Sequence, residues 1–312
     1  MQKKTKRTHS QRKSSSRAAR GPAHTWRVRR TQGVQILHCA ALEKLPWLVH
    51  SFTLRPGGAS LLDGKHVFNL GHTEWDAREN VAANRMKLLA ALDAKKMQLV
   101  SQRQFHSALA RVFDAPPAEP LRGDAALTRT PGLLLAVLTA DCVPILLVDT
   151  KRRAVAAVHA GWRGTLKRVA EKTLGKMRMT FGTRPRDTLA VLGPAIGRCC
   201  YEVGPEVAQA FHSQFAQAKD WFDGPFDRLV ADDTPNPLQW LNMYPPGHQP
   251  SPPSVRFDLA AANRWQLESA GVPRGNIFVS DLCTACHTDI LFSHRAEFGR
   301  TGRMMGVIGV RS

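Results

Sequence analysis

The feature that most constrains this chain is the run LLLAVLTADCVPILLVD at residues 133–149, apolar nearly throughout and interrupted only by Thr139, Asp141, Cys142 and Pro144. Strands buried on both faces read as continuous apolar runs rather than alternating ones, so the pattern predicts two buried strands with a polar break between them. A charged turn, KRR at 151–153, leads into AVAAVHAGWRGT at 154–165, a third buried strand ending in a glycine-flanked turn. Polar groups inside such strands must find partners, because burying them unpaired is costly. Asp141, Cys142 and His159 therefore stand out.

Flanking segments alternate between strand-like and helix-like patterns. VQILHCAALEKLPWLVHSF (34–52) begins with apolar runs typical of strands, SFTLRPGGAS (51–60) is a Gly/Pro turn region, and 69–94 reads as a helix. MQLVSQRQFH (97–106) reads as a strand that delivers His106 to its carboxyl end. Helices are expected at 165–179, 204–218 and 256–273, and strands at 188–197, 277–283 and 303–311. Residues 223–254, proline-rich and aperiodic, read as a long surface loop. Strands alternating with helices, without a Gly-x-Gly-x-x-Gly fingerprint, give a mixed α/β domain that is not a Rossmann fold.

The formal charge of +19 suggests nucleic acid until its distribution is read. Residues 1–30 hold eleven Lys/Arg and no acid, and the first carboxylate is Glu43; subtracting eleven leaves +8 over the rest of the chain. We expect a disordered basic tail at 1–33, binding polyanions only weakly and in a salt-dependent way, and a catalytic domain at 34–312. No stretch reaches the ~18 apolar residues of a membrane span. Six cysteines in 312 residues are too few for a disulfide scaffold. They fit a reducing compartment, so the expected location is cytoplasmic.

A soft thiolate and an imidazole at Cys142 and His159 suit Zn(II) or copper, and they also suit a Cys/His nucleophilic pair. Both sit where strands break at Gly/Pro turns, a usual place for catalytic groups. Arg163, four residues past His159 at a helix start, can form an anion site with the helix amides. The segment 292–304 brings Arg295, Arg300 and Arg303 together as further anion candidates, with a solvated basic loop as the plain alternative. CTACH (283–287) matches the c-type haem attachment pattern. Haem is set aside because that attachment requires export and no export signal is seen, leaving a structural pair of thiols, with a second metal site on the two thiols and the histidine as the alternative. Adjacent Cys199 and Cys200 are expected to point apart, with at most one facing any site.

Taken together, TADCVPILLVD, HAGWRGT, LGPAIGRCCYEVG, FDLAAANRWQL, Cys283-Thr284 and TGRMMGVI resemble the laccase-domain, YfiH-like family over most of residues 51–312. Its members are variously described as multicopper polyphenol oxidases, purine nucleoside phosphorylases and peptidoglycan editing factors. The resemblance implies a four-layer α/β/β/α sandwich and a metal site on His106, Cys142 and His159. His106 lies in Gln104-Phe105-His106-Ser107, where the family has Gln-Val-His-Gly, and the family's Phe-Ser-Tyr-Arg-Arg element is Phe292-Ser293-His294-Arg295-Ala296 here, one arginine short.

The leading expectation is a purine nucleoside phosphorylase acting on adenosine, inosine or methylthioadenosine with inorganic phosphate, together with adenosine deamination. Arg163, Arg295 and Arg303 would hold the anion. Zn(II), or alternatively Cu(II), would sit on His106, Cys142 and His159 with an open fourth position. Asp141 and Glu202 would carry protons or orient ligands. The alternatives are a copper-dependent phenol oxidase and a metal-free Cys142/His159 hydrolase editing peptidoglycan precursors. Against the oxidase stands the ligand supply: three plausible metal ligands in all, and no His-x-His pair among 12 histidines.

Overall fold

The structure, a computed structural model, describes residues 25–224 and 255–311. Two sheets dominate it. In the first, β1 (Trp26–Thr31), β2 (Val34–Cys39), β3 (Leu48–Leu62), β16 (Met304–Val310), β8 (Leu133–Thr139) and β5 (Gln98–Ser101) lie in that order, and β4 (Lys65–Val67) pairs with β3. The second runs β15 (Ile277–Val279), β11 (Thr188–Leu192), β9 (Val143–Asp149), β10 (Ala154–Ala160), β7 (Ala125–Thr128) and β6 (Ala110–Val112). A small third sheet joins β12 (Glu202–Val203), β14 (Val255–Phe257) and β13 (Phe222–Asp223). The helices are α1 (Ala40–Glu43), α2 (Arg78–Ala91), α3 (Trp162–Leu166), α4 (Val169–Phe181), α5 (Pro205–His212) and α6 (Leu259–Ser269).

Side-chain parity explains the layering. Along β8, Leu133, Leu135 and Val137 enter the core between the two sheets, while Leu134 and Ala136 enter a second core with Leu88 and Ala91 of α2. Along β9 and β10, Leu146, Val148, Val155 and Ala157 fill the inter-sheet core. Their alternating neighbours Ile145, Leu147, Ala156 and Val158 pack with Val169, Leu174 and Met177 of α4 and Leu259 and Leu267 of α6. Each central strand is covered on both faces, which is why its sequence is apolar without alternation. Helix, sheet, sheet, helix: the mixed α/β architecture is the expected four-layer sandwich.

Several local expectations are corrected. The region 51–60 is no turn; it lies inside β3, and its Pro56-Gly57-Gly58 absorbs a register shift against β4 between Pro56 and Ser60. Gly57 is at φ 93°, and a Cβ there would come within 2.1 Å of the Gly33 carbonyl oxygen, so only glycine fits this crossing. The helix expected at 69–94 starts only at Arg78, because Asn69 Nδ2 donates to the Gly71 carbonyl (2.9 Å) and to Asp76 Oδ2 (2.7 Å), holding a loop instead. The expected boundary at 33 also moves. Strand β1 lies within the segment read as tail and pairs antiparallel with β2 from Trp26↔Cys39 to Thr31↔Val34. Residues 1–24 of that tail, and residues 225–254 of the proline-rich loop, lie outside the described residues. Among the described residues no helix is long and apolar enough to cross a membrane.

One buried pair gives the fold a pH dependence. His50 on β3 accepts the Cys39 N–H at Nε2 (3.2 Å) and meets His38 edge-on at 5.2 Å between ring centroids. Burial, with the neighbouring His38, depresses the His50 pKa from 6.5 to about 3. The unfolded chain takes up the proton first, so stability is full above pH 6.5 and falls as the pH drops toward 3. The slope is at most about 1.4 kcal/mol per pH unit for this group. His50→Gln keeps an acceptor but does not titrate. Urea unfolding between pH 6.5 and 4.5 is expected to show a shallower loss of stability in the variant, and an unchanged slope would refute the assignment.

Candidate metal centre

The turn between β8 and β9 carries the chain from one sheet to the other, and Cys142 sits at that crossing. By parity Cys142 shares the inter-sheet side of β9 with Leu146 and Val148, and His159 shares that of β10 with Val155 and Ala157. The register brings them together, since His159 pairs with Pro144 and Ala160 with Val143. His106 arrives from the loop after β5, and its Nε2 lies 3.9 Å from Cys142 Sγ. Donor atoms of His106, Cys142 and His159 all fall within 4.8 Å of one another, with the two imidazoles edge-on at 5.0 Å. Two nitrogens and one sulfur at this spacing can hold a metal ion and leave a coordination position open.

A residue to which the sequence reading gave no role organises this group. Asp124, fully buried just before β7, accepts from His159 Nδ1 at 2.9 Å, and its carbonyl accepts the His159 N–H at 2.7 Å. The same carboxylate accepts the backbone N–H groups of Phe105, His106 and Ser107 and the Ser107 hydroxyl (2.6 Å). An ionised carboxylate only accepts, so the proton it binds belongs to Nδ1 and the Nε2 lone pair is left for a metal. These bonds also hold His106 at φ 60°, a left-handed conformation uncommon outside glycine. His106 therefore lies beyond β5, which ends at Ser101, and not at a strand end as expected. Gln104 fixes the loop from its other side, bonding the Leu138 carbonyl (2.8 Å) and N–H (2.7 Å).

Charges in the centre are coupled. Burial would raise the Asp124 carboxyl, but hydrogen bonds from His159 and Ser107 outweigh it and hold the group well below the ordinary carboxylate range. Burial would likewise raise Cys142, yet the adjoining His159 and His106 bring it down to about 6. His159 is lifted to about 9 by the Cys142 thiolate and Asp124 against its own burial. Thiolate and imidazolium thus favour each other, and a metal ion binding at His159 Nε2 would displace the proton held there. Gly161 completes the geometry: a Cβ there would lie 2.8 Å from His106 Cδ2 and 2.9 Å from Cys142 Sγ.

The centre opens into a cavity of about 650 Å³ lined by Arg163, Arg295 and Arg303 together with Trp162, Tyr201 and His294. Arg163 stacks on Trp162 at 4.4 Å, within a helix, α3, too short to provide the amide site expected at its start. Arg295 Nη1 donates to the Glu202 carbonyl (2.8 Å) and lies over the Tyr201 ring at 5.6 Å. Arg303 Nη1 is held by the Thr301 and Gly302 carbonyls, and its burial lowers its pKa. Asp141, at φ 88°, has both carboxylate oxygens engaged, by the Thr284 hydroxyl (2.6 Å) and the Arg295 N–H (2.7 Å). That geometry positions loops. Glu202 is not among the residues lining the cavity. A hollow of about 920 Å³ adjoins, sharing His72 and Arg303. Against the expectation that at most one of Cys199 and Cys200 faces any site, both approach Cys286, and with Cys283 the four form a second grouping able to hold a metal.

The fold is a double-sheet α/β sandwich that carries, where the sheets meet, a Cys/His triad able to hold a metal ion. The chain belongs to the multi-copper polyphenol oxidoreductase laccase family, whose model matches residues 49–311. A purine nucleoside phosphorylase of Bacteroides thetaiotaomicron is 33% identical over 288 residues, covering 89% of this chain and 97% of that one. The adenosine deaminase RL5, from an unknown prokaryotic organism, is 34% identical over 254 residues, 78% of this chain and 87% of that one. The crystal structure of the Bacillus licheniformis hypothetical protein YfiH superposes with a TM-score of 0.74 at 30% identity, covering 91% of this chain and 99% of that one.

If Asp124 sets the His159 tautomer and the His106 loop, Asp124→Asn weakens metal binding by about 10–100-fold, measured against a competing chelator. Unchanged affinity would remove Asp124 from the centre. Gly161→Ala is expected to weaken binding in the same assay while far-UV circular dichroism stays native.

Proposed function

We propose that this protein is a purine nucleoside phosphorylase with adenosine deaminase activity, dependent on Zn(II) held by His106, Cys142 and His159. The observation that carries the reading is the Asp124-anchored triad opening into an arginine-lined cavity, in a chain whose relatives bear phosphorylase and deaminase names. The donor set fits the ion: one thiolate and two imidazoles, with the His159 Nε2 lone pair turned free by the bond at Nδ1. When bound, the metal supplies Lewis acidity and an acidified water at its open position. Cu(II) suits the same donors, and metal analysis of the native protein decides between them.

The chain's own residues account for substrate binding. A nucleoside fits the 650 Å³ cavity, where Trp162 and Tyr201 provide aromatic surface. Arg163 is the cation that would bind phosphate, with Arg295 lining the same cavity and giving one of its N–H groups to the Glu202 carbonyl. Asp141 is a positioning residue for the Arg295 loop, and Asp124 for both histidines. Phosphate attack on the anomeric carbon would release the free base and ribose 1-phosphate. A phenol oxidase needs several copper ions close together, and the triad offers one ion's ligands.

The test is chromatography of adenosine or inosine incubated with purified, zinc-loaded protein. Adenine or hypoxanthine is expected to appear only with phosphate present, and inosine to form from adenosine. Base release that ignores phosphate, or none at all, refutes the reading. Arg163→Ala is expected to lower kcat/KM for phosphate by about 10–100-fold, the loss of a hydrogen-bonded charge worth about 1.5–3 kcal/mol. Cys142→Ala should lose both activity and the metal of this centre.

A further inference from the structure

Four cysteines from two distant segments meet away from the Cys/His centre. Cys199 and Cys200 lie on the chain after β11, and Cys283 and Cys286 on the chain after β15. Their sulfurs all fall within 4.8 Å of one another; Cys286 Sγ is 3.5 Å from Cys199 Sγ and 3.3 Å from Cys200 Sγ. A zinc ion with Zn–S bonds of about 2.3 Å sets the sulfurs of a tetrahedron about 3.8 Å apart, so the grouping has the dimensions of a single ion's shell. Cys283 Sγ already accepts the Gly197 N–H at 3.2 Å, the kind of bond that stabilises a thiolate. We propose that Cys199, Cys200, Cys283 and Cys286 form a closed tetrathiolate Zn(II) site, separate from the His106–Cys142–His159 centre.

Four soft sulfur ligands select zinc over hard cations, and a full set of protein ligands leaves no position for water, so the site is structural. Binding replaces four S–H protons by one Zn²⁺; the protons go to solvent, and no oxidant or reductant is involved. The surroundings give the site its purpose. Tyr201 follows Cys200 and lines the catalytic cavity, while Thr284 follows Cys283 and donates to Asp141 at 2.6 Å. The Thr284 N–H bonds the Ala195 carbonyl at 3.0 Å, and Ala195 bridges to Cys283. The zinc would clamp together a loop that lines the cavity through Ile196 and Tyr201 and a loop that braces the cavity residue Asp141 through Thr284, without touching substrate.

The experiment uses the full chain, purified under reducing conditions without chelator, as wild type and as Cys142→Ala. The alanine variant, lacking the thiolate of the Cys/His centre, is expected to keep one zinc per chain by elemental analysis, with X-ray absorption showing only sulfur neighbours at about 2.3 Å. Adding Cys286→Ser, at an exposed position, is expected to cost at least tenfold in retention against a competing chelator; Cys199→Ser, also exposed, repeats the test if the first variant unfolds. The proposal fails if Cys142→Ala holds no zinc, if nitrogen or oxygen dominates the shell, or if iron with acid-labile sulfide is found. It fails equally if peptide mapping finds a Cys199–Cys286 or Cys200–Cys286 disulfide. None of these readouts depends on nucleoside turnover, so the site stands or falls apart from the proposed activity.

Discussion

The candidate centre depends on one buried carboxylate. Asp124 receives five hydrogen-bond donors from four residues, and two of the three candidate ligands hang on it. An ionised carboxylate in a dry layer is expensive unless every lone pair is met. Here the loop 105–107 folds back to meet them, and in doing so it presents His106 to Cys142. The carboxylate therefore supplies to the centre what a helix or strand supplies elsewhere: a fixed backbone. The remaining architecture delivers Cys142 and His159 by ordinary strand register, which needs no such device.

How much of this could be read from the sequence follows from the range of the interactions involved. The strands at 133–149 and 154–160 were legible because burial on two faces leaves a local compositional trace, and Cys142 and His159 were legible as interruptions of it. His106 was located through family resemblance, but its setting was not, since a left-handed residue held by a carboxylate eighteen positions away leaves no periodic mark. Asp124 itself looks like any acid between a glycine and an alanine. The Pro-Gly-Gly in β3 misled because the same residues that make turns also make bulges, and the choice rests on the close passage of Gly33. Cysteines more than eighty residues apart carried no common signal; only the parallel placement of β11 beside β15 brings the chain segments after them together.

The two thiol-containing sites show contrasting uses of sulfur. Cys142 stands between two imidazoles with one side open, where its thiolate is stabilised by neighbouring positive charge. The four-cysteine group has no imidazole or carboxylate within it, and none of its members lines the cavity. One arrangement suits exchange of ligands and the other suits permanence. Asp141 links them mechanically: its carboxylate ties Thr284, next to Cys283, to Arg295 at the cavity, and its own neighbour in the chain is Cys142.

Strand β1 gives the amino-terminal charge a meaning that composition alone concealed. Among the described residues it is the outermost strand of the first sheet, with Arg27, Val28, Arg29 and Arg30 exposed along it. An outer strand carries unsatisfied main-chain groups and is a template on which a second molecule can add its own strand. Charged side chains along such an edge disfavour that addition. Three of the arginines that inflate the net charge therefore belong to a strand of the folded domain, and one of them, Arg27, is paired with Glu43 at 3.1 Å.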